Sequence, residues 1–348
     1  MNALTRSLAS SAELFPHALD LRSDAVTFIR ILEAEYRAAS FLDDRILSQQ
    51  TLRRTIPWAD VERAIWDADL SERCNFIFHI GHAGSTLLSR LLGEQAGVFA
   101  LREPGILRAM AQIRGEPAFE QKVWGADGFG KRLSLLLKLW SRTFRADDQP
   151  IVKTTSFVSE LAAELVSRDY NPRAVLMFVS PESYLATILG GANAPQEARL
   201  LAPERLKRLQ RRFGSEISDL ATLGLGEIVA MSWACEMTAL VAAKEAAGSR
   251  SLSLDFDLFL TEPHSALSGV FNHLAVPFHS HDVASILDGP QMRRYSKAPE
   301  YTYDAQLRRE VLDHARATSG AEIRRGLAWL DTLSRAHPQV AAAREMAG

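Results

Sequence analysis

Residues Cys74 to Leu92 read CNFIFHIGHAGSTLLSRLL, and the rest of the chain is arranged around them. Phe76-Ile77-Phe78-His79-Ile80 is an apolar run long enough for one buried strand and too short for a typical helix. Gly81-His82-Ala83-Gly84-Ser85-Thr86 is a loop of small residues, and Leu87, Leu88, Leu91 and Leu92 follow at helical spacing. Strand, glycine loop and helix together make a phosphate cradle. Backbone N–H groups converge in such a loop, and the helix N-terminus adds partial positive charge. Gly81 and Gly84 keep Cβ atoms away from an approaching phosphate. Ser85 and Thr86 supply hydroxyl donors and candidate helix caps.

The same pattern recurs on both sides. Gly97 to Leu101, Pro150 to Lys153, Ala174 to Val179 and Ser251 to Phe256 read as further strands, each followed by a helical pattern. Five strands alternating with helices predict an α/β fold: a doubly wound, largely parallel sheet with N-terminal and C-terminal helices. In such sheets ligands sit beyond the carboxyl ends of the strands. Glu103, Lys153 and Ser180 all follow strand ends and should converge on the loop. The expected division is a helical segment over 1–72, the α/β domain over 73–280 and a C-terminal helical segment over 281–348 packed on it. Residues 1–20 read as loose. From Asp24 to about Ala68 the apolar spacing, with Phe28, Ile31, Leu32 and Tyr36 on one face, predicts two or three helices.

The chain has 348 residues and a formal charge of -2, so neither nucleic acid nor an anionic membrane is the expected partner. Its two cysteines, Cys74 and Cys235, form no disulfide framework, which fits a reducing, cytoplasmic setting. The N-terminus lacks the apolar run of a signal peptide. The most apolar long window, Ile228 to Ala243, is interrupted by Glu236 and reads as too short and too charged to span a bilayer. His279 and His281 lack a nearby third ligand, so no metal site is expected.

The loop is not a Walker A motif, because Gly84 stands where the lysine before Ser85-Thr86 is needed. A GxGxxG fingerprint is also absent. Gly81 to Leu88 instead resembles the 5′-phosphosulfate loop of sulfotransferases, a basic residue followed by Ser-Gly-Thr-Thr and an apolar pair. The resemblance extends over about 75–280, through Arg102-Glu103-Pro104, Lys153-Thr154-Thr155-Ser156, Pro172-Arg173-Ala174 and Ser253-Leu254-Asp255-Phe256-Asp257-Leu258. It implies a P-loop-like α/β fold. It also implies metal-free transfer of a sulfuryl group from 3′-phosphoadenosine 5′-phosphosulfate (PAPS) to a hydroxyl or amine of a small-molecule or peptide acceptor.

Roles follow by resemblance, residue by residue. Gly81, His82, Ala83, Gly84, Ser85 and Thr86 would bind the 5′-phosphate. Glu103 is the candidate base, and a capping or ion-pairing carboxylate is the alternative at that position. Lys153 is the candidate for the leaving group or sulfuryl oxygens. Two positions depart from the family. Its basic loop residue is His82 here, either protonated by a bound dianion or donating one neutral hydrogen bond. The arginine that binds its 3′-phosphate is Val179. Losing one partner of a buried charge pair costs about 2–5 kcal/mol. Arg173, Ser180, Thr187, Arg293, Arg294 and Lys297 are the candidates to replace it. Two other readings stay open. One is a degenerate nucleotide-binding protein without transfer, and the other is an ATP-dependent phosphotransferase.

Overall fold

The computed structural model describes residues 3–298 and 300–348. The described residues form eight strands, β1 (Leu14–Asp20), β2 (Ala25–Arg30), β3 (Arg53–Pro57), β4 (Asn75–His79), β5 (Val98–Arg102), β6 (Gln149–Lys153), β7 (Ala174–Phe178) and β8 (Ser251–Asp255). The last five form one sheet in the order β5-β6-β4-β7-β8, and every neighbouring pair is parallel. β4 to β7 are buried at nearly every position, as strands covered by helices on both faces must be. The chain leaves β4 toward one edge and later returns to its other side at β7. This reversal makes the carboxyl end of β4 a topological switch point, where a ligand crevice opens.

All five of these strands agree with the sequence reading to within one or two residues. The N-terminal region differs. In place of helices throughout 24–68, β1, β2 and β3 form a small antiparallel sheet, with short helices at Glu33–Ala38 and Trp58–Asp67. Val26, Phe28 and Ile29 are all buried, so β2 packs on both faces and shows no clean alternation. Without that period-two signal, Phe28 and Ile31 mimic a helical stripe. Residues 3–20 are not loose either, since they form a helix at Ala3–Ser10 and then β1. Pro16 masks β1 in the sequence. It is tolerated because β1 is an edge strand whose register shifts between Pro16 and Ala18.

Leu225–Ala247 is the central helix of the α-helical layer. At 23 residues it is long enough to cross a membrane, contrary to the sequence reading of its length. Its apolar window is 83% buried inside the fold, so the apolar surface has protein partners. One partner is the long C-terminal helix Ala305–Ala336. A Cβ on Gly226 would lie 2.0 Å from the Glu322 carbonyl, and one on Gly326 would lie 2.5 Å from the Gly226 carbonyl. The two glycines therefore let the backbones approach more closely than any side chain permits. From within the central helix, Trp233 Nε1 donates to the Val179 carbonyl just past β7 at 3.1 Å.

Candidate functional site

Immediately after β4 the backbone enters the left-handed region three times in four residues, at Gly81 (φ 83°), His82 (φ 53°) and Gly84 (φ 68°). The helix Ser85–Glu94 starts directly behind. His79 fixes the approach. Its Nδ1 accepts from the Gly81 N–H at 2.9 Å, so its Nε2 carries the proton and donates to the Thr154 carbonyl at 2.9 Å. Burial, with Lys153 next in effect, holds this histidine neutral. The N–H groups from His82 to Leu87 take no acceptor among the described residues. They form a concave set of donors at a helix N-terminus, the arrangement that receives an anion. A Cβ on Gly84 would lie 2.0 Å from the Phe256 ring. Glycine is thus required there by a close neighbour as well as by φ.

Behind the loop lies a buried ion pair. Lys153 ends β6 with no exposed surface. Its Nζ pairs with Glu103 Oε1 and donates to Thr86 Oγ1 at 3.3 Å. Glu103 is 8% exposed, with φ 53°. A left-handed non-glycine residue costs about 1–2 kcal/mol. Here that turn, held by the Glu103 N–H donating to the Lys153 carbonyl at 2.6 Å, brings the carboxylate back over the lysine. Burial lowers the Lys153 pKa to about 8, against the opposing pull of Glu103. Arg45 Nη2 lies 3.7 Å from Glu103 Oε2. Lys153 lines neither cavity beside the loop, and its amine is turned to Thr86 and Glu103.

Two cavities meet at the loop. One, about 530 Å³, is lined by the loop from His82 to Leu87, Thr187, Phe256, Arg294, Lys297 and Arg308. The other, about 480 Å³, is lined by Arg45, Glu103, Thr155, Tyr184, Arg205 and Glu236 among others. They share His79, His82, Ala194, Glu197 and Lys297, which form the waist of one continuous cleft. Such volumes suit small-molecule ligands. His82 at the waist has its pKa pushed down to about 4 by burial, and then by Lys297, Arg205 and Arg308. It is therefore neutral at pH 7 in the free protein, and the positive charge at the waist comes from Lys297.

The remaining sequence candidates separate cleanly. Arg173 precedes β7, at the opposite end of the sheet from the loop, and its Nη1 donates to the His273 carbonyl at 2.6 Å. It lines neither cavity at the loop. Ser180 caps the helix Pro181–Leu189 by accepting from the Ser183 N–H and does not line the cavity. Thr187 lines it, but its hydroxyl already donates to the Ser183 carbonyl at 2.7 Å. Arg293 lies outside the lining, whereas Arg294 and Lys297 are in it and form no ion pair among the described residues. Among the lining residues that escaped the sequence reading are Arg308 and Arg45. Arg308 is set on Asp257 at 2.7 Å and beside the Phe256 ring, and nothing in its helical context marks it. Arg45 sits in the short 3-10 turn Asp44–Ile46 between β2 and β3, where no periodic pattern marks it.

No protein-family model and no curated protein matches the chain. Among solved structures it is similar to a sulfotransferase domain from the curacin biosynthetic pathway, with 13% identity and TM-score 0.41, covering 72% of this chain and 98% of that domain. It is similar to the sulfotransferase domain of the Synechococcus PCC 7002 olefin synthase, with 13% identity and TM-score 0.40, covering 71% of this chain and 88% of that one. It is also similar to a sulfotransferase from Mycobacterium avium, with 11% identity and TM-score 0.38, covering 90% of this chain and 95% of that one. Identities at this level transfer no residue role.

Proposed function

We propose that this chain is a sulfotransferase-like enzyme that uses PAPS and a hydroxyl or amine acceptor. The observation that carries the reading is the loop, with three left-handed residues and an unpartnered row of N–H groups from His82 to Leu87. Its resemblance to a phosphosulfate loop, and the glycine at the Walker lysine position, favour a sulfuryl over a phosphoryl donor. In this reading the N–H groups and the Ser85 and Thr86 hydroxyls hold the 5′-phosphate. Arg294, Lys297 and Arg308 supply the positive charge that Val179 cannot.

Glu103 is the acceptor base in the adjoining cavity. The acceptor oxygen bonds to sulfur, the bond from sulfur to the bridging phosphate oxygen breaks, and the acceptor proton passes to the Glu103 carboxylate. Positive charge from Lys297 at the waist offsets the charge that grows on the departing phosphate. Lys153, paired with Glu103, keeps that carboxylate aimed into the cavity.

Calorimetric titration with 3′-phosphoadenosine 5′-phosphate, the product nucleotide, tests the donor side. Binding without magnesium is the expected result. Absence of heat and of thermal shift at millimolar nucleotide would reject the reading, and magnesium-dependent ATP binding in its place would assign the cradle to a phosphotransferase.

A further inference from the structure

Glu103 also borders a third cavity, of about 730 Å³, on the side away from the phosphate loop. That groove shares Asp43, Arg45, Glu103, Arg108 and Thr155 with the acceptor cavity, so the two are continuous. One wall is a face of the helix Gly105–Arg114 and the turn after it, with Ile106, Ala109, Ile113 and Glu116 at helical spacing. The helix starts two residues after Glu103 and rises about 15 Å along the groove. β1 also lines it, through His17, Ala18 and Leu19. Phe119, beyond the C-terminal end of that helix, lines it as well.

His17 is an independent sign of a ligand. It is the extra residue at the β1 register shift, between Pro16 and Ala18, and such a bulge re-aims one side chain. It is 5% exposed. Its Nε2 is bonded to Asp44 Oδ1 at 3.0 Å, while its buried Nδ1 has no partner among the described residues. His17 lines the groove beside Ala18 and Leu19, and a buried imidazole nitrogen left unpaired there is costly unless something in the groove meets it.

We infer that the acceptor is an aliphatic alcohol whose chain lies in this groove, with its reacting hydroxyl at Glu103 and a second hydrogen-bonding group on the chain reaching His17. The inference rests on the proposed transfer at Glu103. The small antiparallel sheet is then a wall of the acceptor site and not only a support for the fold.

The test is calorimetry of the full chain, without nucleotide, against 1-pentanol through 1-decanol and the matching α,ω-diols. Each added methylene should tighten binding about fourfold until the groove is filled. Ala109→Phe should hold the longer alcohols to the affinity of 1-pentanol. Phe119→Ala, at a 43% exposed position where folding is not at stake, should weaken only the longest members. Diols should bind more tightly than alcohols of equal length, and His17→Leu should erase that difference. A flat chain-length series, or one that neither Ala109→Phe nor Phe119→Ala alters, overturns the groove assignment. Diols no tighter than alcohols overturn the role of His17. Because nucleotide is left out, loss of the PAPS reading appears in the separate nucleotide titration and leaves this series intact.

Discussion

The Glu103–Lys153 pair permits a prediction that can be worked from the structure. Lys153 is wholly enclosed, and the Glu103 side chain is 11% exposed. Lys153→Met keeps most of the volume, so packing losses stay small. It leaves Glu103 with only Arg45, at 3.7 Å and half in solvent. Removing one partner of a buried pair costs about 3–5 kcal/mol. Glu103→Gln should be destabilising in the same way, but with a pH signature. Burial already holds Lys153 near 8, and without the carboxylate its pKa falls further. The folded pKa is then further below the unfolded value, so the unfolded state binds the extra proton and the stability of this variant rises with pH. Its deficit against the unmodified protein should therefore shrink between about pH 6 and pH 9. The double variant should lose less than the sum of the two, with a coupling of up to about 3 kcal/mol. Urea unfolding of the four proteins at both pH values provides the cycle. Additive losses, or a Lys153→Met protein as stable as the parent, would refute the claim that the lysine holds the carboxylate.

Two further predictions concern the loop. Gly84→Ala places a methyl group 2.0 Å from the Phe256 ring and imposes a left-handed φ worth about 1–2 kcal/mol. Nucleotide affinity and stability should both fall, and adding Phe256→Leu should recover the steric part but not the backbone part. Recovery of both in the double variant would contradict this geometry. His82 has a folded pKa near 4, below its ordinary value of 6.5. Between those values the unfolded state binds the additional proton, so the protein loses stability as pH falls from 6.5 toward 4, by at most about 3 kcal/mol. His82→Asn should flatten that part of the urea-unfolding profile, and an unchanged acid slope would remove His82 as its source.

The parallel sheet was legible because its strands are continuous apolar runs that end in polar, glycine or proline punctuation. The loop was legible because glycine and hydroxyl residues at this spacing have few other uses. The N-terminal sheet was not, since β2 is buried on both faces and Pro16 interrupts β1. Glu103 and Lys153 drew attention by their places after strands, but their pairing depends on the left-handed turn at Glu103, which no side-chain pattern announces. Arg173 was misplaced because adjacency to a strand does not reveal which end of the sheet a residue occupies. Arg308 reaches the cavity from a helix about fifty residues beyond β8, and only the tertiary fold brings it near Phe256.

The PAPS reading depends on positive charge taking over where Val179 replaces the expected arginine. The most direct test titrates the protein with 3′-phosphoadenosine 5′-phosphate and with adenosine 5′-phosphate under the same conditions. Charge-assisted contacts of about 1.5–3 kcal/mol from Arg294, Lys297 and Arg308 predict a preference of roughly tenfold to more than a hundredfold for the bisphosphate. Lys297→Ala and Arg308→Met should each reduce that preference. Equal affinity for the two nucleotides would show that nothing at the cavity reads the 3′-phosphate, and it would contradict the central claim.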